Sequence, residues 1–508
     1  MTVSELLQHH GLSENPFKGE EARSDEVFTR LHRAGDLSTH HPDFEKIRGD
    51  LRRPSGAVVF GEKGSGKTAI RIQLAEGIAA FNAANPGARV CFIAYDDLNA
   101  VLDRLHERLG GKNPLESLQK IRLVDHLDAL LHQVVPRLVD SVLGDGPEET
   151  RIDLGDVKRP HKRLDLVTRR DLLLLQTLYD RPEFAIQRTS RLRRRLRLMP
   201  PGSAIWGRFA MVVVPLLLVG FWWWYSKYGW EQVPRRYYDY ALAGLVALFA
   251  IFALKMGVWD RLALLRQAHR IRRQIRIVLR GDISFATSLR HLPSAYREAA
   301  HLPTTDADEA RFAMFDRLRN VLRQFGWAGL VVVVDRVDEP TLIGGDPERM
   351  KAVIWPLMSN KFLQYEGVGV KMLLPMELRH ALFRESSAFF QSARLDKQCL
   401  IERLAWTGPT LYDLCEQRLE ACRRPDAPPV HLLDLFAADV SRAELFEALE
   451  KLHQPRDAFK MLYRCILEHC QSVTRDTPEW KIPRHVLVNV VKAESERVQQ
   501  MQRGIRPA

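Results

Sequence analysis

The chain has 508 residues, 46% hydrophobic and 27% charged, with a formal net charge of +12. That length exceeds one ordinary domain, and the balance excludes a disordered tail, a collagen-like fibre and a small disulfide scaffold. Cys91, Cys399, Cys415, Cys422, Cys465 and Cys470 are scattered without a CxxC or a zinc-type His pair, so they read as reduced thiols in a cytosolic compartment.

Met1 to Asn15 lacks the apolar core of a signal peptide, so no cleaved export signal is expected. Gly56 to Phe60 is a short apolar run that predicts a buried strand. It opens into Gly61-Glu62-Lys63-Gly64-Ser65-Gly66-Lys67-Thr68. A helix is predicted over Ala69 to Phe81, with Ile70, Leu74, Ile78 and Phe81 on one face. Val90 to Tyr95 predicts a second buried strand, ending in Asp96 and Asp97. From about Leu98 to Leu198 the pattern is helical and polar, as in Leu127 to Leu143 and Arg170 to Tyr179.

Phe209 to Ser226 carries no charged residue, and neither does Tyr240 to Leu254. A spanning helix needs roughly 17–25 apolar residues, and the aromatic clusters at the segment ends suit interfacial belts. A transmembrane hairpin is therefore expected over 205–259. Arg188, Arg191, Arg193 to Arg195, Arg197 and Arg208 precede it; Lys255, Arg261, Arg266, Arg270, Arg272, Arg273, Arg276 and Arg280 follow. The connecting loop holds only Lys227, Arg235 and Arg236, against Glu231. That bias predicts a multi-pass protein of the cell membrane with both termini cytoplasmic and lipid as a partner, and it ranks nucleic acid lower.

Gly329 to Val334, with four consecutive valines, predicts a strand ending in Asp335, and Val368 to Leu374 predicts another. Beyond about Leu400 the pattern is helical: Thr410 to Cys422, Ser441 to Leu452 and Pro455 to Cys470, with a winged helix as an option from Trp480.

Strand, glycine-rich loop, lysine, hydroxyl and helix form the order of a phosphate-binding loop. Gly61, Gly64 and Gly66 let successive N–H groups face phosphate oxygens, and the helix N-terminus adds partial positive charge. Glu62, Lys63 and Ser65 fill the loop. Lys67 is placed to reach the β- and γ-phosphates, and Thr68 to ligate magnesium. Asp335, held at the end of a strand expected next to the first, is the second magnesium ligand; Asp338 or Glu339 is then the residue that orients or deprotonates water.

Gly61 to Thr68 resembles a Walker A motif, and Val331-Val-Val-Val-Asp-Arg-Val-Asp-Glu339 resembles the Walker B of the STAND class. A membrane hairpin between the two resembles the KAP family of P-loop NTPases. The resemblance implies an AAA+/STAND-like α/β core with a parallel sheet, an inserted helical region with the transmembrane hairpin, and a C-terminal α-helical lid. It implies ATP and Mg2+ as cofactors and a membrane-anchored ATPase switch or assembly factor, with phage defence as a setting. Pro455-Arg456-Asp457 resembles the start of a lid helix, making Arg456 a γ-phosphate sensor, and Asn15-Pro16-Phe17 resembles an N-terminal strap. Arg336 stands where the family has a small residue, and Leu374-Pro-Met-Glu377 lacks the usual polar sensor.

The expected organisation is a strap and first core half over 1–100 and a helical insertion over 101–204. The hairpin over 205–259, a second core half over 260–400 and the lid or winged helix over 401–508 follow. Partners are a homo-oligomer and a protein of unknown identity. A nucleotide-binding membrane scaffold or channel component without turnover is the second reading, and a DNA-binding ATPase of origin-recognition type the third.

Overall fold

The computed structural model describes the chain except for residues 20–21, 23, 35–39, 112, 156–158, 200–201, 229–234, 299–300, 384–393, 396–397, 475–476 and 503–508. It divides into two compact units, Met1–Asn99 with Gly329–Ala508, and Ala100–Ala328. The chain thus returns to its first unit at Gly329, later than the 260 expected from sequence.

The first unit is α/β. Its strands are β1 (Ala57–Gly61), β2 (Arg89–Tyr95), β3 (Trp327–Val334), β4 (Val368–Pro375) and β5 (Cys399–Ile401), in one parallel sheet of order β2-β3-β4-β1-β5. β1 and β4 are buried along their whole length, and β3 from Gly329 onward. Such uninterrupted apolar runs belong to parallel strands covered on both faces. The register pairs Gly61 with Pro375 and Val334 with Met372, so β1, β3 and β4 finish at one edge. Two expectations need revision. β4 lies between β1 and β3, which the sequence reading placed side by side, and β5 is a strand that reading did not anticipate.

The helix after β1 runs Lys67–Ala84 and sends Ile70, Leu74 and Ile78 into the core with Val59, Val331 and Leu373. The helices Gly408–Cys422, Arg442–Glu450 and Pro455–Ser472 form a second core with the N-terminal Leu6, Leu12 and Phe17. After Trp480 the described residues form the helix Arg484–Gln502 and one isolated bridge, Phe436 to Ile482. No strand pair forms a wing there among the described residues.

The second unit is helical, and its core includes Leu123–Leu143 and Leu166–Tyr179. The two apolar segments are helices, Gly202–Tyr228 and Arg235–Leu254, packed on one another. The expected membrane hairpin is nevertheless overturned: among the described residues no helix is long and apolar enough to cross a membrane.

The charge argument fails for a separate reason. Several flanking arginines neutralise carboxylates inside the unit. Arg188 is buried, with ion pairs to Asp140 at 3.0 Å and Asp180 at 2.9 Å. Arg191 pairs with Asp145 and Arg276 with Asp125. Arg280 donates to the Thr177 carbonyl and to Ser288. The membrane localisation, the lipid partner and the anchored form of the switch are withdrawn with the hairpin.

Candidate functional site

All parts of the site lie in the α/β unit. Gly64 and Gly66 sit at φ 99° and 98°, a left-handed region that side chains avoid, so the loop after β1 curls back over the start of its helix. Gly64 is also a close approach, because a Cβ there would meet the Cβ of Arg456 at 2.7 Å. Arg456 therefore packs on the loop itself, from the first turn of the helix Pro455–Ser472.

Lys67 Nζ donates to the carbonyls of Gly61 and Glu62 at 2.8 and 3.0 Å. Burial lowers its pKa, a shift opposed by the carboxylates of Asp338, Asp335 and Glu377 and reinforced by Arg456. Thr68 Oγ1 donates to Asp335 Oδ2 at 3.4 Å, across 267 residues of sequence. Asp335 is 1% exposed. Burial raises its pKa, while Arg71 and Lys67 hold it down.

Two residues in the sequence-derived set are turned aside. Glu62 pairs with Arg403 at 2.8 Å and accepts from Gln454, which commits its carboxylate to the outer side of the loop. Glu339 accepts from Arg336 Nε at 2.7 Å and forms an ion pair with the same guanidinium. Arg336 reaches it from a left-handed backbone, φ 60°. Asp338 is half-buried and, among the described residues, has no ion-pair partner; it lines the same cavity as Lys67, Thr68 and Asp335. Of the two water-activating candidates, Asp338 is the one left available.

That cavity has a volume of about 580 Å³, within the range of ligand pockets. The phosphate loop and Asp335 form part of its wall. Phe28, Leu414 and Phe459 supply an apolar part, with Trp406 beside the loop. The strap contributes here: Arg418 donates to the Pro16 carbonyl and ion-pairs with Asp25 at 2.7 Å, both charges being nearly buried.

Sequence reasoning missed four of these residues. Arg71 bridges Asp96 at 3.1 Å and Asp335 at 3.4 Å. Its spacing of four from Lys67 on one helix was the available signal. Trp406 Nε1 donates to the Ser65 carbonyl at 2.9 Å, and the Asp25–Arg418 pair joins positions 393 apart. Neither leaves a local pattern.

The residues present fit a nucleoside triphosphate with magnesium. The loop has the left-handed glycines of an anion cradle, and the buried Ser65 Oγ has no hydrogen-bond partner among the described residues. No set of three or more His, Cys, Asp or Glu able to hold a metal occurs among the described residues. Thr68 and Asp335 would thus share a hard cation with phosphate and water oxygens. Comparison of the chain with protein families, with curated proteins and with solved structures returns no match.

Proposed function

We propose that this chain is a magnesium-dependent nucleoside triphosphatase acting as a nucleotide-dependent switch or assembly factor. One observation carries the reading: the hydroxyl after the loop lysine meets the buried carboxylate at the end of β3, although 267 residues separate them. A buried carboxylate is costly for folding unless positive charge compensates it, as Arg71 does here and as magnesium would with nucleotide bound.

Thr68 Oγ1 and the Asp335 carboxylate would hold magnesium, which would supply positive charge against the phosphate oxygens. The loop N–H groups and Lys67 Nζ bind the phosphates, and Arg456 adds charge from the lid. Asp338 accepts a proton from the attacking water. ATP as the nucleotide, a KAP-like ancestry, a homo-oligomeric state and a protein partner belong to the same proposal.

The test is hydrolysis of ATP by the full chain, wild type against Lys67→Ala, with and without magnesium. Lysine removal takes away charge stabilisation on the transferring group and should cost at least about 100-fold. Equal magnesium-dependent rates in the two proteins would end the enzymatic reading. A second reading, nucleotide binding with little turnover, is favoured by the Arg336–Glu339 pair, which ties up one of the two candidate bases.

A further inference from the structure

Gln73 lies on the helix Lys67–Ala84, one turn beyond Ala69, and both line the cavity. At about 1.5 Å of rise per residue, Gln73 stands about 9 Å along the axis from Lys67. Gln73 is 8% exposed, and its side chain makes no hydrogen bond among the described residues. It is not one of the polar groups sealed from solvent without a partner, so its carboxamide opens on the cavity, where donor and acceptor can both meet a ligand.

The surroundings narrow the ligand's chemistry. Phe28, Leu414 and Phe459 offer flat apolar surface suited to a planar ring. Guanine presents two adjacent donors on its pairing edge, which a free carboxylate matches best. The carboxylate beside Phe28 is Asp25, and it is consumed: it accepts from the backbone N–H of Val27 and Phe28 and pairs with Arg418. Adenine presents one donor and one acceptor side by side, which a carboxamide satisfies with two hydrogen bonds.

We infer that Gln73 reads the edge of the base and makes the site selective for adenine nucleotides. The inference rests on the nucleotide-binding reading above and assigns the residue that sets base specificity. Gln73 is a binding residue and touches none of the reacting atoms.

The test measures binding of ATP, GTP and purine riboside triphosphate, which lacks the 6-amino group, to the full chain. Wild type should prefer ATP over GTP by about 10-fold or more, the worth of one good bidentate pair. Gln73→Leu should lose that preference, with a smaller deficit for purine riboside triphosphate, which offers the carboxamide one hydrogen bond in place of two; Lys67-dependent binding of that analogue shows that the variant is folded. Gln73→Glu, an acceptor alone, should shift the preference toward GTP. Unchanged ATP selectivity in both variants, with Lys67-dependent binding intact, overturns the assignment and leaves the phosphate site standing. A wild-type chain that binds none of the three overturns both.

Discussion

Replacing Arg336 with glycine separates the two candidate bases. Arg336 holds φ 60°, a conformation that costs an L-residue about 1 kcal/mol and glycine almost nothing. Against that gain stands the loss of the pair with Glu339. Their side chains are 27% and 48% exposed, so solvent screens the pair and its worth is about 0–1 kcal/mol. The terms nearly cancel, and the melting temperature should move by no more than about 3 °C. Turnover should respond differently. Release of Glu339 gives the site a second free carboxylate, and a correctly placed general base is worth about 100- to 10,000-fold. Glu339 lies at the rim, so a smaller rise is expected, about tenfold in kcat, with nucleotide Kd unchanged. The assay is steady-state phosphate release from wild type, Arg336→Gly, Glu339→Gln and the double variant. If the single Arg336→Gly gain vanishes in the double variant, Glu339 is the released base. A kcat that stays flat across all four proteins refutes the reasoning and leaves Asp338 as the sole base.

Two further perturbations probe other parts of the chain. Trp406→Phe removes the hydrogen bond to the Ser65 carbonyl, worth about 1 kcal/mol, and should weaken nucleotide binding about fivefold. It should also abolish most of the change in tryptophan emission on nucleotide addition, and an undiminished change would place the reporter elsewhere. In the helical unit, burial pushes the Asp128 carboxyl up to about 6 although Arg311 and the Tyr179 hydroxyl favour its charged form. A folded pKa above the unfolded value of about 3.9 means that its contribution to stability is full at low pH and fades as pH rises from about 4 through 6. Asp128→Asn should flatten that part of the pH profile of urea unfolding, and parallel profiles for the two proteins would refute it.

What the sequence revealed and what it hid divide along one physical line. The loop from Gly61 to Thr68 and the strand before Asp335 are contiguous, and each needs only local chemistry to be recognised: glycines for a tight curl, valines for a covered strand. Their meeting was inferred from chemistry alone, and the 3.4 Å contact between Thr68 and Asp335 agrees with it. Strand order was not legible, because nothing in Val368 to Pro375 says which neighbours it takes. β5 has three residues, too few for a periodicity to register. The arginines flanking the apolar segments misled because charge counts treat every arginine as solvated, whereas Arg188 and Arg280 are buried and satisfied by groups distant in sequence. The Asp25–Arg418 pair was hidden for the same reason.

The strand order also explains how the site can exist. Neighbouring strands lie about 4.8 Å apart, so with β4 between them β1 and β3 are separated by about 10 Å. Side chains at the strand ends cannot close that gap unless the loop after β1 arches across the end of β4. β4 ends level with β1, Gly61 being in register with Pro375, and runs three residues past Met372, the partner of Val334; proline there withholds the N–H that would continue a ladder. The contact between Thr68 and Asp335 shows that the loop and the helix start after it bridge that gap. Glu377, two residues beyond Pro375, is left close enough to Lys67 to favour its charged form. The lysine is therefore held between three acids and the Arg456 guanidinium, a balance that an incoming phosphate would tip toward the charged lysine.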